Sequence, residues 1–79
     1  MGFAKTEAEI AERAARFLKA ELKRADVTYE ELAKRLEENG LNETRDSIAS
    51  KLKRGTFPAT FFLACLNALN LNVVRLEDI

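Results

Sequence analysis

Three short segments between residues 28 and 71 each begin with a helix-start signal, and this restricts the fold more than any other feature of the chain. Thr28 and Glu31 have the spacing of a capping box, in which each side chain bonds to the other residue's backbone N–H. Thr44 suits the start of the second segment. Pro58 suits the first turn of the third, because its missing N–H costs nothing there. We therefore expect three short helices in this region.

Each of these segments also ends at a residue that stops a helix. Asn39-Gly40 follows the first segment, Gly55 follows the second, and Asn70 or Asn72 closes the third. Gly and Asn tolerate the left-handed backbone that often follows a helix. The third segment is the most apolar and is expected to be the central helix. Apolar residues recur at helical spacing between the signals and predict a core of Leu32, Ala33, Leu36, Ile48, Ala49, Leu52, Phe61, Phe62, Leu63, Leu66 and Leu69.

A longer helix is predicted before this region. Thr6 and Glu9 form another capping-box pattern, so the helix should begin near Glu7. One apolar stripe follows, made of Ile10, Ala14, Leu18, Leu22 and Ala25. The opposite side is basic and consists of Arg13, Arg16, Lys23 and Arg24. That side is either an ordinary solvated face or a surface that contacts backbone phosphates.

The tail, defined as residues 72–79, changes from a helical to an alternating pattern. Val74 and Leu76 alternate with Val73 and Arg75, which is typical of a β-strand. A lone strand leaves its backbone groups unpaired, and pairing with the same strand of a second subunit would satisfy them. We therefore predict a homodimer that pairs through Val73, Val74, Arg75 and Leu76. The alternative is an extended tail packed on the core.

Together these signals predict one all-α domain of four to five helices with a short C-terminal β-strand. The domain covers residues 1–79, with a core from residue 6 to residue 71. At 79 residues, the core supplies a margin of only a few kcal/mol, so a dimer interface would help. Cys65 lies in an apolar helical run and is read as a small core residue.

The composition argues against an enzyme. The chain has no histidine, the commonest general base and metal ligand, and its one cysteine belongs to no metal-binding pattern. Ser47 and Ser50 have no base beside them in the sequence. No catalytic residue, metal or cofactor is therefore predicted. No apolar run reaches membrane-spanning length, no secretory signal pattern is present, and the single cysteine fits the cytoplasm.

The formal net charge is zero, but the charges are distributed unevenly. Residues 13–24 carry five cations and one glutamate, and residues 44–58 carry four cations and one aspartate. Residues 28–43 carry five glutamates and two cations. The local field at a surface steers a polyanion more than the total charge does, so two basic helices remain candidates for DNA contact.

The helix predicted after Thr44 is the better candidate for reading DNA. With Ile48, Ala49 and Leu52 inward, its outward positions are Asp46, Ser47, Ser50 and Arg54, with Lys51 on the flank and Arg45 at the exposed start. Cationic side chains can bond to guanine acceptors in the major groove, and an acidic one can accept from cytosine. The alternative is an ordinary solvated helix face.

These residues carry a resemblance to known DNA-binding proteins. T-Y-E-E-L-A at residues 28–33 resembles the opening of the DNA-binding unit in helix-turn-helix repressors of the lambda Cro and repressor type. K-L-K-R-G at residues 51–55, followed by Pro58 and its apolar run, resembles the end of their third helix and their fourth helix. EENGLNETRD forms a longer connection than their tight turn. The chain also resembles a small uncharacterised bacterial helix-turn-helix-like family through T-Y-x-E-L-A and R-G-T-F.

The resemblance implies roles for individual residues. Asp46, Ser47 and Lys51 fall where such repressors contact bases. Thr28 and Tyr29 would face a phosphate at the start of the preceding helix. Further phosphate contacts would come from four cations, namely Arg45, Lys53, Arg54 and Arg24. Thr44 and Ser50 complete the set of residues predicted to lie at the DNA. Tyr29 can equally cover the edge of the core.

Two functions follow from these observations. The first is a small dimeric helix-turn-helix regulator that binds double-stranded DNA at a palindromic site. The second is a protein-interaction module of the same fold that does not bind DNA, with Glu30, Glu37 and Glu38 facing a basic partner. The two differ in salt dependence, because neutralising phosphates releases counterions and makes DNA binding strongly sensitive to salt.

Overall fold

The computed structural model describes residues 4–79, and this part of the chain is all-α. Four α-helices and a final 3₁₀ turn follow one another, namely α1 (Glu7–Ala25), α2 (Tyr29–Glu38), α3 (Arg45–Arg54), α4 (Ala59–Ala68) and the turn Leu76–Asp78. The number and order of the α-helices agree with the sequence patterns. The predicted β-strand does not form anywhere in residues 4–79.

Side-chain caps fix the starts of the first two helices. At α1, the Thr6 hydroxyl accepts from the Glu9 N–H at 3.1 Å, and the Glu9 carboxylate accepts from the Thr6 N–H at 3.2 Å. At α2, the Thr28 hydroxyl accepts from the Glu31 N–H at 3.1 Å. The second half of the capping box predicted there is absent from the described contacts. Instead, the Glu31 carboxylate accepts a hydrogen bond from Arg35, one turn further along α2, at 3.1 Å.

The ends of the helices also match the predicted stop signals. Gly40 follows α2 with a φ of +85°, and Gly55 caps α3 with a φ of +80°. At these two positions a residue with a Cβ would be strained, although open space surrounds both. Asn70 follows α4 with a φ of 60°, a value that asparagine tolerates better than most residues.

The core is built where α2 packs against both α3 and α4, and α1 closes it from one side. Buried side chains from all four helices and from the turn after α1 form one cluster, made of Leu18, Leu22, Val27, Leu32, Leu36, Ile48, Leu52, Phe61, Cys65 and Ala68. Cys65 lies in this core as predicted. Burial raises the pKa of its thiol to about 12, and the negative charge of Glu43 acts in the same direction.

Three residues of the predicted apolar stripes face solvent, namely Ile10 and Ala25 of α1 and Leu63 of α4. Ile10, in the first turn of α1, is 45% exposed. The first turns of α1 line a groove with the end of α3 through Ala8 and Ala11, and the buried residues of α1 begin only at Ala15. Leu63 is 61% exposed, because it lies two residues from both Phe61 and Cys65 and so points away from the core.

The tail folds back toward α1 instead of forming the predicted strand. The backbone carbonyl of Ile79 accepts a hydrogen bond from Nε of Arg13 at 2.8 Å and another from the same guanidinium group. The Asp78 N–H donates to the Arg75 carbonyl at 2.9 Å, which closes the 3₁₀ turn. An alternating run of a few residues has no neighbouring strand within the described chain to pair with. It therefore satisfies part of its backbone through a local turn and a side chain.

Candidate nucleic-acid interface

The residues predicted for α3 divide into an exposed group and an engaged group. Side chains of the exposed group reach solvent along the helix and at its cap, namely Thr44, Arg45, Asp46, Ser50, Lys53 and Arg54. Arg45 pairs with the neighbouring Asp46 at 3.3 Å, and Nε of Arg54 donates to the Thr56 hydroxyl at 3.0 Å. Ser47 and Lys51 form the engaged group and face the connection that precedes α3.

Glu43 holds the engaged group. Its carboxylate accepts from the Ser47 hydroxyl at 2.7 Å and from Nζ of Lys51 at 3.0 Å. The Glu43 and Lys51 side chains are 12% and 22% exposed, and the Lys51 ammonium lies 5.5 Å from the centre of the Phe61 ring. The hydroxyl of Ser47 also accepts from the Thr44 N–H at 2.8 Å, completing the cap of α3. Both side chains therefore support the α2–α3 connection.

The sequence analysis does not predict a role for Glu43, although its spacing from Ser47 and Lys51 indicates one. Glu43, Ser47 and Lys51 are separated by four residues each, so they form one row along the side of α3. The longer connection from Asn39 to Thr44, noted as a departure from the repressor pattern, supplies the glutamate that binds this row. The longer connection therefore stabilises α3 through the contacts of Glu43 with Ser47 and Lys51.

Replacing Lys51 with alanine is expected to reduce stability by about 1–2 kcal/mol, because it leaves the mostly buried Glu43 carboxylate without its cation. Lys53→Ala is the matched control, since Lys53 is exposed two residues away on the same helix. This control should change stability by no more than about 0.5 kcal/mol. Urea denaturation followed by circular dichroism measures both, and equal midpoints for the two variants would contradict the assigned role of Lys51.

The basic residues of α1 do not form one face. Lys19 and Lys23 each follow a buried leucine by one residue and lie on the side of α1 that borders α3, whereas Arg16 lines both the groove beside α3 and the groove beside the tail. Arg24 and Arg13 lie with the tail on another groove, where Arg24 pairs with Glu21 and Arg13 bonds to Ile79. The basic side predicted from the sequence is therefore divided between two surfaces.

Two adjoining grooves bring α1 into one surface with α2 and α3. The first lies between α1 and the end of α3 and includes Arg16, Lys19, Lys53 and Arg54. The second lies between α1 and the starts of α2 and α3 and includes Lys19, Lys23, Thr28, Tyr29 and Arg45. Lys19 belongs to both grooves, so the two are continuous. We call this surface the α1–α3 face.

The α1–α3 face is strongly basic in a chain whose formal net charge is zero. The residues lining its two grooves include six cations and two carboxylates, Glu12 and Glu30, which gives a local net charge of +4. Within the described part of the chain, no ion pair engages the side chains of Lys19, Lys23, Lys53 or Arg54. Most other cations of residues 4–79 are paired with a nearby carboxylate. Unneutralised positive charge is therefore concentrated here.

The starts of α2 and α3 open onto the same groove of this face. Thr28 and Tyr29 begin α2, and Arg45 begins α3, and all three line the groove beside Lys23. The N-terminal ends of helices carry partial positive charge and unbonded N–H groups, so they add to the attraction for an anion. Tyr29 is half-buried and packs against the core, as one of its two predicted positions requires, and its contact with a phosphate stays a prediction.

The residues predicted for dimerisation lie on the tail, apart from the α1–α3 face. Val73 is 84% exposed and Leu76 is 61% exposed. Val74 is half-buried, and it lines a groove with Phe17 and Ala20 of α1. Arg75 is exposed and pairs with Glu77. The tail therefore presents two large apolar side chains to solvent.

Neither a metal site nor a membrane span occurs within residues 4–79. No group of three or more potential ligands among these residues is arranged to hold a metal ion. None of the helices formed by these residues is long and apolar enough to cross a membrane. The buried Cys65 thiol, with its raised pKa, is poorly suited to act as a nucleophile.

Comparisons with known proteins assign a family. A search of curated proteins found no match, and a search of solved structures also found none. Neither result bears on the resemblance to repressors of the Cro type, which stays a prediction. A family model described as a domain of unknown function, DUF6471, matches residues 1–74, which is most of the chain. The chain therefore belongs to the DUF6471 family of domains of unknown function.

Proposed function

We propose that this domain is a small dimeric DNA-binding regulator of helix-turn-helix type. The observation that carries the proposal is the local charge of +4 on the α1–α3 face. A chain with no net charge has no general attraction for a polyanion, so such a concentration on one surface favours a specific anionic partner. Double-stranded DNA is a dense anion that can span two adjoining grooves.

In this proposal, α3 enters the major groove and α2 lies against the backbone. Asp46 and Ser50 are the candidates for base contacts, because their exposed side chains lie near the start and in the middle of α3. Arg45, at the exposed start of α3, is the candidate for a phosphate contact beside them. The sequence predicts that Ser47 and Lys51 read bases, but both side chains donate to the Glu43 carboxylate and so stabilise the connection before α3. Thr28 and Tyr29 would meet a phosphate at the start of α2.

Dimerisation completes the proposal, because two copies of α3 would read two half-sites related by symmetry. The exposed Val73 and Leu76 side chains give the tail an apolar surface to bury against a second copy, with Val74 and Arg75 beside them. The tail forms no strand within residues 4–79, so this contact between side chains replaces the β-pairing predicted from the sequence. Burying these side chains would add stability to a domain whose own core is small.

Light scattering and selection from random DNA duplexes test this function together. At a protein concentration on the order of tens of micromolar, light scattering should give a molecular mass about twice that of one chain, which is 8.9 kDa. The selected duplexes should contain a palindrome with half-sites about one helical turn apart, near 10 base pairs. A monomer mass, or enriched sequences without two-fold symmetry, would contradict the dimeric regulator.

A protein-interaction module is the second candidate, and the acidic surface of α2 favours it. Glu30, Glu37 and Glu38 are all exposed on this helix. Because Glu30 also borders the α1–α3 face, a basic partner placed there would meet six cations, so it would have to bind at the other end of α2. In that case, Glu37→Lys and Glu38→Lys would abolish partner binding, whereas under our proposal DNA binding would not weaken.

A further inference from the structure

We infer that α1 contacts the DNA backbone through Lys19 and Lys23. This inference rests on the proposed function and assigns a role within it to an element outside the α2–α3 unit. The ligand is the sugar–phosphate backbone of double-stranded DNA, contacted along the junction between α1 and α3. The starting observation is that both lysines belong to the α1–α3 face and are exposed.

Packing sets the direction of these two side chains. Leu18 and Leu22 are buried against the rest of the core, and α1 contacts both α3 and α4. Lys19 and Lys23 each lie one residue after a buried leucine, which rotates them about 100° from the core. They line the groove that also contains Arg45 of α3. The fold therefore holds these lysines beside the proposed recognition helix.

The charge pairing separates these lysines from the other basic residues of α1. Arg16 lies 3.8 Å from Glu12, and Arg24 pairs with Glu21, so both have a carboxylate close by. Among residues 4–79, no carboxylate forms an ion pair with Lys19 or Lys23. A cation that has no internal partner can neutralise a phosphate without first breaking an ion pair.

The geometry suits more than one phosphate. Lys19 and Lys23 are one helical turn apart along α1, a rise of about 6 Å. Lys19 also borders the groove that contains Lys53 and Arg54 at the end of α3. The four unpaired cations thus follow one another across both grooves, as expected for contacts to a continuous backbone and not to a single anion. Contacts of this kind position a protein on DNA and carry no sequence information.

The test is the double neutralisation Lys19→Gln with Lys23→Gln, measured by fluorescence anisotropy on two unrelated labelled duplexes between about 25 and 200 mM salt. If both lysines contact phosphates, the slope of log K against log salt should become shallower by about 2. At about 50 mM salt the affinity should fall roughly 200-fold, by the same amount on both duplexes.

The matched control is Lys5→Gln with Lys34→Gln, which removes the same charge from exposed positions outside the two grooves. It should leave the slope unchanged, and circular dichroism should show native helix content in both variants. If the Lys19 and Lys23 variant keeps the native slope while the native protein binds DNA, this inference is overturned and the proposed function stands. If the native protein binds neither duplex at about 25 mM salt, both are overturned.

Discussion

Phe61→Ala is expected to unfold most of the protein at 25 °C. Phe61 is 1% exposed, its ring centre lies 5.3 Å from that of Phe57, and the Lys51 ammonium lies above it. Truncating a buried phenylalanine costs about 3–5 kcal/mol. A domain of 79 residues has a margin of similar size, so the loss of one ring removes most or all of it.

Leu63→Ala is the matched control for this prediction. Leu63 lies on the same helix, α4, but is 61% exposed, so its truncation should change stability by no more than about 0.5 kcal/mol. Thermal and urea unfolding followed by circular dichroism compare the two variants. A cooperative transition for Phe61→Ala close to that of the native protein would show that Phe61 does not fill the core as described.

Reversing two charges on α3 is expected to produce the largest loss of DNA binding. In the variant Arg45→Glu with Lys53→Glu, two proposed phosphate contacts are lost and two negative charges are added to the α1–α3 face. The loss of the two contacts alone should lower the affinity roughly 200-fold at about 50 mM salt, and repulsion by the two added negative charges should lower it further. Arg45 is at the start of α3 and Lys53 is near its end. The two substitutions therefore have opposite effects on helix stability through the helix dipole, because a glutamate stabilises the start of a helix and destabilises its end.

The control for this variant is Lys5→Glu with Lys34→Glu. It changes the net charge by the same amount, but Lys5 and Lys34 lie outside both grooves. Its affinity should remain near the native value, apart from a small general effect of the added negative charge. Comparable losses in the two variants would mean that the protein responds to total charge, and no particular surface would then be assigned.

The sequence was sufficient to predict the helices, because their signals are local. Thr6, Thr28 and Thr44 cap helices as their spacing indicates, and Gly40, Gly55 and Asn70 adopt the left-handed conformation after them. Burial was predicted less accurately, because it depends on where the partner helices end. Ile10 and Leu63 fit the apolar periodicity of their helices, yet both are exposed.

The candidate site depended more strongly on tertiary structure. Periodicity cannot tell which flank of α1 will meet α3. It predicts one basic side of Arg13, Arg16, Lys23 and Arg24, whereas Arg13 and Arg24 lie beside the tail and Lys19 lines both grooves beside α3. Nor does it reveal that Glu43 returns from the connection to bind Lys51. The predicted strand does not form in residues 4–79 for a related reason. An alternating pattern indicates that the two sides of a segment differ in polarity, but it does not supply the neighbouring strand with which the segment must pair.

The most direct test of the account is the salt dependence of native protein binding to a generic labelled duplex, measured by anisotropy between about 25 and 200 mM salt. If the four unpaired cations of the α1–α3 face each neutralise one phosphate, log K should fall with log salt at a slope of about −3.6 or steeper for each bound chain. No binding at about 25 mM salt, or a slope near zero, would contradict the assignment of this face to DNA.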